Sequence, residues 1–131
     1  MKKLIHSPDL GLLIFRMFIG LSMAFAHGLG KVPPAEGFIA KIGQMGFPLP
    51  FVFAWSASLA ELLGGLLIAA GLYTRVSSLF LGFTMLVAAF GAHAMDPFSK
   101  KELSLLYLAA CVLLMLQGAG RFSLDRKLRG R

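Results

Sequence analysis

The chain has 131 residues, 57% of them hydrophobic, with a mean hydropathy of +0.78 and a formal net charge of +7. A soluble domain of this length cannot hide so much apolar surface, because small domains leave a large share of their residues exposed. The charge needs no nucleic acid partner, since the basic residues collect around the apolar runs, where they set membrane topology.

Four runs, Leu10 to Leu29, Phe51 to Leu72, Val76 to Met95 and Leu103 to Ala119, are long enough to cross the hydrocarbon core, the last only just. They are continuous rather than alternating, which argues against strands. The predicted fold is all-α: one domain over residues 1–131, an integral membrane four-helix bundle in contact with the lipid bilayer. With the N-terminus inside, Lys2, Lys3, Arg75, Arg121, Arg126, Lys127, Arg129 and Arg131 share one side, against Lys31, Lys41, Lys100 and Lys101 on the other. That bias predicts cytoplasmic N and C termini.

The first run begins like a signal peptide and carries "AFA" at Ala24 to Ala26, but Arg16 interrupts it and its length is that of a full span. A retained helix is expected. Steps of helical spacing from Arg16 reach Gly20, Met23 and His27, then Lys31, so one face carries all three basic groups. The following loop, "KVPPAEGFIAKIGQMGFPLP", holds Phe38, Ile39, Ile42 and Met45 at helical spacing between proline pairs. It predicts a short amphipathic helix over Ala35 to Met45 on the outer surface or over the bundle mouth.

The second run contains one carboxylate, Glu61. Ala57, Gly65 and Ala69 lie on its face, beside a second row of Ser56, Ala60 and Gly64, and such small residues let a neighbouring helix approach. A charge at that depth costs at least about 2.5–3.5 kcal/mol on insertion scales, so a partner is expected. At 1.5 Å per residue Arg16 lies about 9 Å and Glu61 about 16 Å above the inner boundary. Two long side chains bridge that offset, so Arg16 and Glu61 are expected to meet, either as a register-setting pair or as a proton or ligand site.

The turn at Tyr73-Thr74-Arg75 is short enough to force an antiparallel hairpin with the third run, and Asp96-Pro97 marks the next turn. His27, Lys31, His93 and Glu102 gather at the outer ends of the spans, where histidine with carboxylate handles protons near neutral pH. No HxxxH or HxxE spacing supports a metal there. On the fourth run Tyr107 and Cys111 share a face. Cys111 is the single cysteine and reads as a small buried hydrophobe. The tail "RFSLDRKLRGR" reads as a topology anchor that also meets anionic headgroups.

Taken together, Arg16 and Gly20, "HGLGK" at His27 to Lys31, "MGFPLP", "ELLGGLLIAAGLYTR" at Glu61 to Arg75 and "GAGRFSLDR" at Gly118 to Arg126 resemble the DoxX family. These are small four-helix membrane proteins related to the DoxD-type subunit of thiosulfate:quinone oxidoreductase. The resemblance covers nearly the whole chain and implies a bacterial cytoplasmic (inner) membrane location. Within the family pattern, Gly20, Gly64, Gly65, Thr74 and Arg75 carry structural roles. Arg16, His27 and Glu61 stand as catalytic candidates, with Lys31, His93, Glu102 and Tyr107 as ligand-binding candidates.

The implied function is a membrane redox component that takes a quinone-like or thiol-linked small molecule. It would work with a membrane or peripheral redox partner, because no dinucleotide fingerprint, haem-ligand pair or cysteine pair is present. A non-enzymatic scaffold or assembly factor, and a small-molecule permease that requires a homo-oligomer, are the alternatives on the same fold.

Overall fold

The computed structural model describes residues 7–129, so the expectations for Lys2, Lys3 and Arg131 lie outside the described residues. Helix α1, Pro8–Ser22, starts where Ser7 accepts a hydrogen bond from the Leu10 N–H and Pro8 occupies the first turn. It runs on as a π-helical segment, Met23–Gly28, and a 3-10 turn, Leu29–Lys31. Helix α2, Glu36–Gln44, is the short helix of the first loop, and Ile42 is its buried residue.

Helix α3 covers Pro50–Ala70 and ends at Gly71, whose φ of 73° only glycine adopts freely. Gly71 N–H bonds to Ile68 O and Leu72 N–H to Leu67 O, which together close the helix as a Schellman motif. Helix α4, Thr74–Val87, starts at once and continues as a π-helical turn, Ala88–Ala92. The Asp125 carboxylate takes the N–H groups of Tyr73 and Thr74 at 2.7 and 3.0 Å, capping the start of α4 from a distant part of the chain. Helix α5, Phe98–Gln117, packs along α4, and a five-residue helix α6, Leu124–Leu128, ends the described chain.

Three stretches are long and apolar enough to cross a membrane: Pro8–Lys31, Pro50–Ala70 and Thr74–Ala92. α5 has the length, but its first five residues include Lys100, Lys101 and Glu102, so its apolar part is shorter than the other three. It completes the bundle through its contact with α4. Met23, Ile68, Leu81, Met85, Tyr107, Cys111 and Leu114 form the core, while side chains such as Phe18, Phe80 and Leu116 face outward, as lipid contact requires.

The register between α1 and α3 is set by glycine. A Cβ on Gly65 would stand 2.6 Å from Gly20 O and 2.8 Å from Ala24 N, and one on Gly28 would stand 2.6 Å from Leu62 Cα. Backbone therefore lies on backbone along the whole crossing, as small residues permit between membrane helices. Gly64 faces the other way, towards Ser77 O and Leu81 of α4 at 3.8 and 3.9 Å.

Because the obstructing atoms at Gly65 are main-chain atoms, they have no rotamer by which to yield. Gly65→Val is expected to cost about 1–3 kcal/mol or more through overpacking. Gly11→Ala, which meets nothing within 4 Å, is expected to be neutral or better. Thermal unfolding of both variants in detergent checks this, and equal melting temperatures would refute the close approach.

Candidate functional site

That register decides where each buried charge goes. Gly28 lies against Leu62 and Gly20 against Ala69, so Arg16, one turn further along α1, arrives at the last turn of α3. There its Nη1 donates to Ile68 O at 3.2 Å and Ala69 O at 2.8 Å, and Nη2 donates to Phe122 O. The side chain is 1% exposed. Ala69 O is an acceptor that the helix C-terminus leaves open, Ile68 O accepts the guanidinium in addition to the Gly71 N–H, and the negative end of the helix dipole favours a cation beside them.

The expected Arg16–Glu61 contact is therefore corrected. Glu61 lies seven residues, about 10 Å, up α3 from Ile68. Depth along the membrane had suggested that the two charges bridge, but nearer carbonyl acceptors take the guanidinium. Glu61 instead pairs with Lys31, which reaches in from the end of the first span. Lys31 Nζ donates to Glu61 Oε1 at 3.0 Å, with side-chain exposures of 40% and 4%.

Glu61 Oε2 is buried and has no partner among the described residues. Both residues border a cavity of about 530 Å3 between α2, α3 and α4. Phe38 and Ile42 of α2 with Met45 just after it form one wall, Phe53, Ser56, Ala57 and Ala60 of α3 a second, and Phe80, Phe83, Thr84 and Val87 of α4 a third. Lys41 and His93 supply the remaining polar groups of the lining. Lys31 also stands over the Phe38 ring, 5.6 Å from its centroid, a cation–π distance.

The small residues of α3 thus serve two purposes. Gly65 and Ala69 bring α1 close, as expected of the whole row. Ser56, Ala57 and Ala60, towards the other end, leave space for the cavity instead of admitting a helix.

The gathering of His27, Lys31, His93 and Glu102 is split in the structure. Lys31 and His93 join Glu61 at the cavity. His27 packs edge-on against Tyr107 of α5, with ring centroids 5.6 Å apart, and Glu102 is exposed and outside the cavity lining. The shared face of Arg16, His27 and Lys31 fails at the π-helical turn Met23–Gly28, because its wider i→i+5 spacing rotates His27 away and brings Gly28 onto α3. No periodic signal announces such a turn. At the cavity edge His93 Nδ1 and Asp96 Oδ2 are 2.7 Å apart. That hydrogen bond, opposed by desolvation and helped by Lys100, His93 and Lys41, holds the partly exposed Asp96 carboxyl below its ordinary range.

Thr74 begins α4 instead of stopping α3, and Arg75 lies beside Gly118. Cys111 is fully buried, and no three His, Cys, Asp or Glu side chains converge among the described residues.

A double-mutant cycle separates the two pairings. Lys31→Met with Glu61→Gln is expected to show a coupling of about 1–2 kcal/mol, reduced from a fully buried pair because Lys31 is partly exposed. Arg16→Met with Glu61→Gln is expected to be additive within about 0.5 kcal/mol. Unfolding in detergent measures both, and the larger coupling at Arg16 would restore the rejected pair.

Comparison with known proteins places this geometry in context. The DoxX family model matches residues 11–94, a span that takes in every residue bordering the Glu61 cavity. The chain is 32% identical over 120 residues to the Bacillus subtilis protein named "Putative oxidoreductase CatD", covering 91% of this chain and 87% of that one. It is 35% identical over 138 residues to the inner membrane protein YqjF of Escherichia coli, covering 98% and 97%. A second Escherichia coli inner membrane protein, YphA, is 29% identical over 127 residues, covering 88% and 89%. No solved structure matches. With apolar helices of spanning length, a family match over most of the chain and relatives aligned nearly end to end, this chain belongs to the DoxX family of membrane proteins.

Proposed function

We propose that this DoxX protein is a membrane redox component that binds a quinone-like molecule in the Glu61 cavity. The observation that carries this is the unpartnered, buried Oε2 of Glu61, a residue that lines an otherwise largely apolar, aromatic cavity. A buried carboxylate oxygen without a donor is costly, and a ligand hydroxyl supplies one. A quinol hydroxyl donates to Glu61 Oε2, a quinone carbonyl accepts from Lys31 Nζ, and the flat ring lies among Phe38, Phe53 and Phe83. The cavity volume, about 530 Å3, is that of ordinary small-molecule sites. Aromatic walls favour a ring over a thiol-linked ligand.

Oxidation of a bound quinol releases two protons and two electrons. Glu61 accepts one proton from the hydroxyl it faces, the second leaves to water from the other hydroxyl, and both electrons pass to a redox partner protein, since Cys111 has no second thiol beside it. The relative named as an oxidoreductase supports a redox role, and the basic bias of the sequence supports cytoplasmic termini. A reporter fused after Arg129 is then active only in the cytoplasm; activity outside reverses that topology.

The binding test is a titration of the purified protein with a short-chain quinone, read by quenching of Trp55, its single tryptophan. Saturable binding is expected, weakened about tenfold or more in Glu61→Gln, the effect of losing a hydrogen bond to a charged group. Extraction of the protein from native membranes is expected to yield a bound quinone by mass spectrometry. Equal binding by wild type and variant, or a tightly held membrane protein with no small molecule, would favour the scaffold instead.

A further inference from the structure

A second cavity, of about 1000 Å3, lies at the opposite end of the bundle from Glu61, where the α3–α4 turn, the end of α5 and α6 meet. Arg75, Arg121, Arg126 and Arg129 border it, against two carboxylates, Asp9 and Asp125. Both carboxylates are already engaged by main-chain donors. Asp125 accepts from Tyr73 and Thr74, and Asp9 Oδ1 accepts from the Arg121 N–H at 3.0 Å. None of the four arginines makes an ion pair among the described residues. The lining therefore carries an excess of two positive charges, and the guanidinium groups have no carboxylate to answer them.

Two further observations show what answers them. Thr74, 1% exposed, borders the same cavity, and its Oγ1 is buried without a hydrogen-bond partner among the described residues. The remaining lining mixes polar Gln117 and Ser123 with apolar side chains, two of which face outward: Val76 is 54% exposed and Leu128 73% exposed. Arginines beside exposed aliphatic side chains at the end of spanning helices form an amphipathic mouth at the height of the headgroups.

We propose that this cavity binds the phosphate headgroup of an acidic phospholipid. Guanidinium forks match phosphate oxygens two at a time, and are the usual choice where planar, bidentate recognition is needed. The acyl chains lie along Val76 and the adjoining outer surface of α4, while α6 rests in the interface with its arginines on the phosphate. A free phosphate ion uses the arginines but leaves the aliphatic side of the mouth without a function. The site is independent of the Glu61 cavity, and Arg121, Arg126 and Arg129 lie beyond the stretch matched by the DoxX family model.

The full chain in detergent tests this by thermal unfolding with added phosphatidylglycerol, phosphatidylcholine or inorganic phosphate, with native mass spectrometry to count retained lipids. Phosphatidylglycerol is expected to raise the melting temperature by about 5 °C over phosphatidylcholine, and to remain as a single adduct. Arg121→Gln/Arg126→Gln/Arg129→Gln changes only exposed side chains and is expected to weaken phosphatidylglycerol binding at least tenfold. If that variant fails to fold, Arg126→Gln/Arg129→Gln gives the same readout. Lys100→Gln/Lys101→Gln, at the other end of the bundle, is expected to leave the preference intact. Equal stabilisation by both lipids, an unchanged preference in the arginine variants, or its loss in the lysine variant would overturn the site. A shift from inorganic phosphate matching that from phosphatidylglycerol would overturn its lipid source.

Discussion

Where α1 crosses α3, Gly20, Gly28 and Gly65 let the two main chains touch, and the placement of every buried charge depends on that contact. Two membrane helices separated by ordinary side chains can slide by a turn at small cost, because lipid and leucine are equally apolar. Two helices in main-chain contact at three glycines cannot. The crossing therefore specifies which residues of the first span stand level with which of the second. Arg16 and Lys31, fifteen residues apart on one element, are delivered to two different places on α3.

Each place answers its cation differently. Arg16 finds neutral acceptors, the carbonyls of Ile68 and Ala69, and ties them to Phe122 O beyond α5. One side chain thus joins the first span, the end of the second and the segment leading to α6. Asp125 makes the reciprocal tie, holding the start of α4 from within α6. This end of the bundle is cross-linked by polar contacts to main chain, and its arginines are left over. At the other end a single carboxylate meets a single ammonium, and its second oxygen is buried without a partner among the described residues.

The division has a functional sense. An end tied by Arg16 and Asp125 to main chain lies opposite an end where the helices leave a cavity. The cavity exists because α3 presents Ser56, Ala57 and Ala60 where larger residues would fill the space, and because α2 closes over it with Phe38, Ile42 and Met45. Binding sites built on helices are held more firmly than sites on loops. Here three helices and the Lys31–Glu61 pair position the polar groups, and Phe80 and Phe83 of the lining are exposed.

Composition and run length were enough to settle the solvent, the helical class and the presence of one carboxylate within the second span, while of the four expected spans three are long and apolar enough to cross. These are additive properties of the chain, so they survive without knowledge of contacts. The α2 helix was legible for a similar local reason, from Phe38, Ile42 and Met45 at helical spacing. The partner of Glu61 was not, because depth along a membrane normal leaves rotation and register free. Packing in three dimensions fixed both. The glycine contacts chose the register, and the π-helical turn at Met23–Gly28 turned His27 towards Tyr107. Carbonyls at the end of α3, which no tally of charged residues reveals, drew Arg16 away from Glu61. The cavity arises in the same way, from the relative placement of three helices, and no local stretch of the chain contains it.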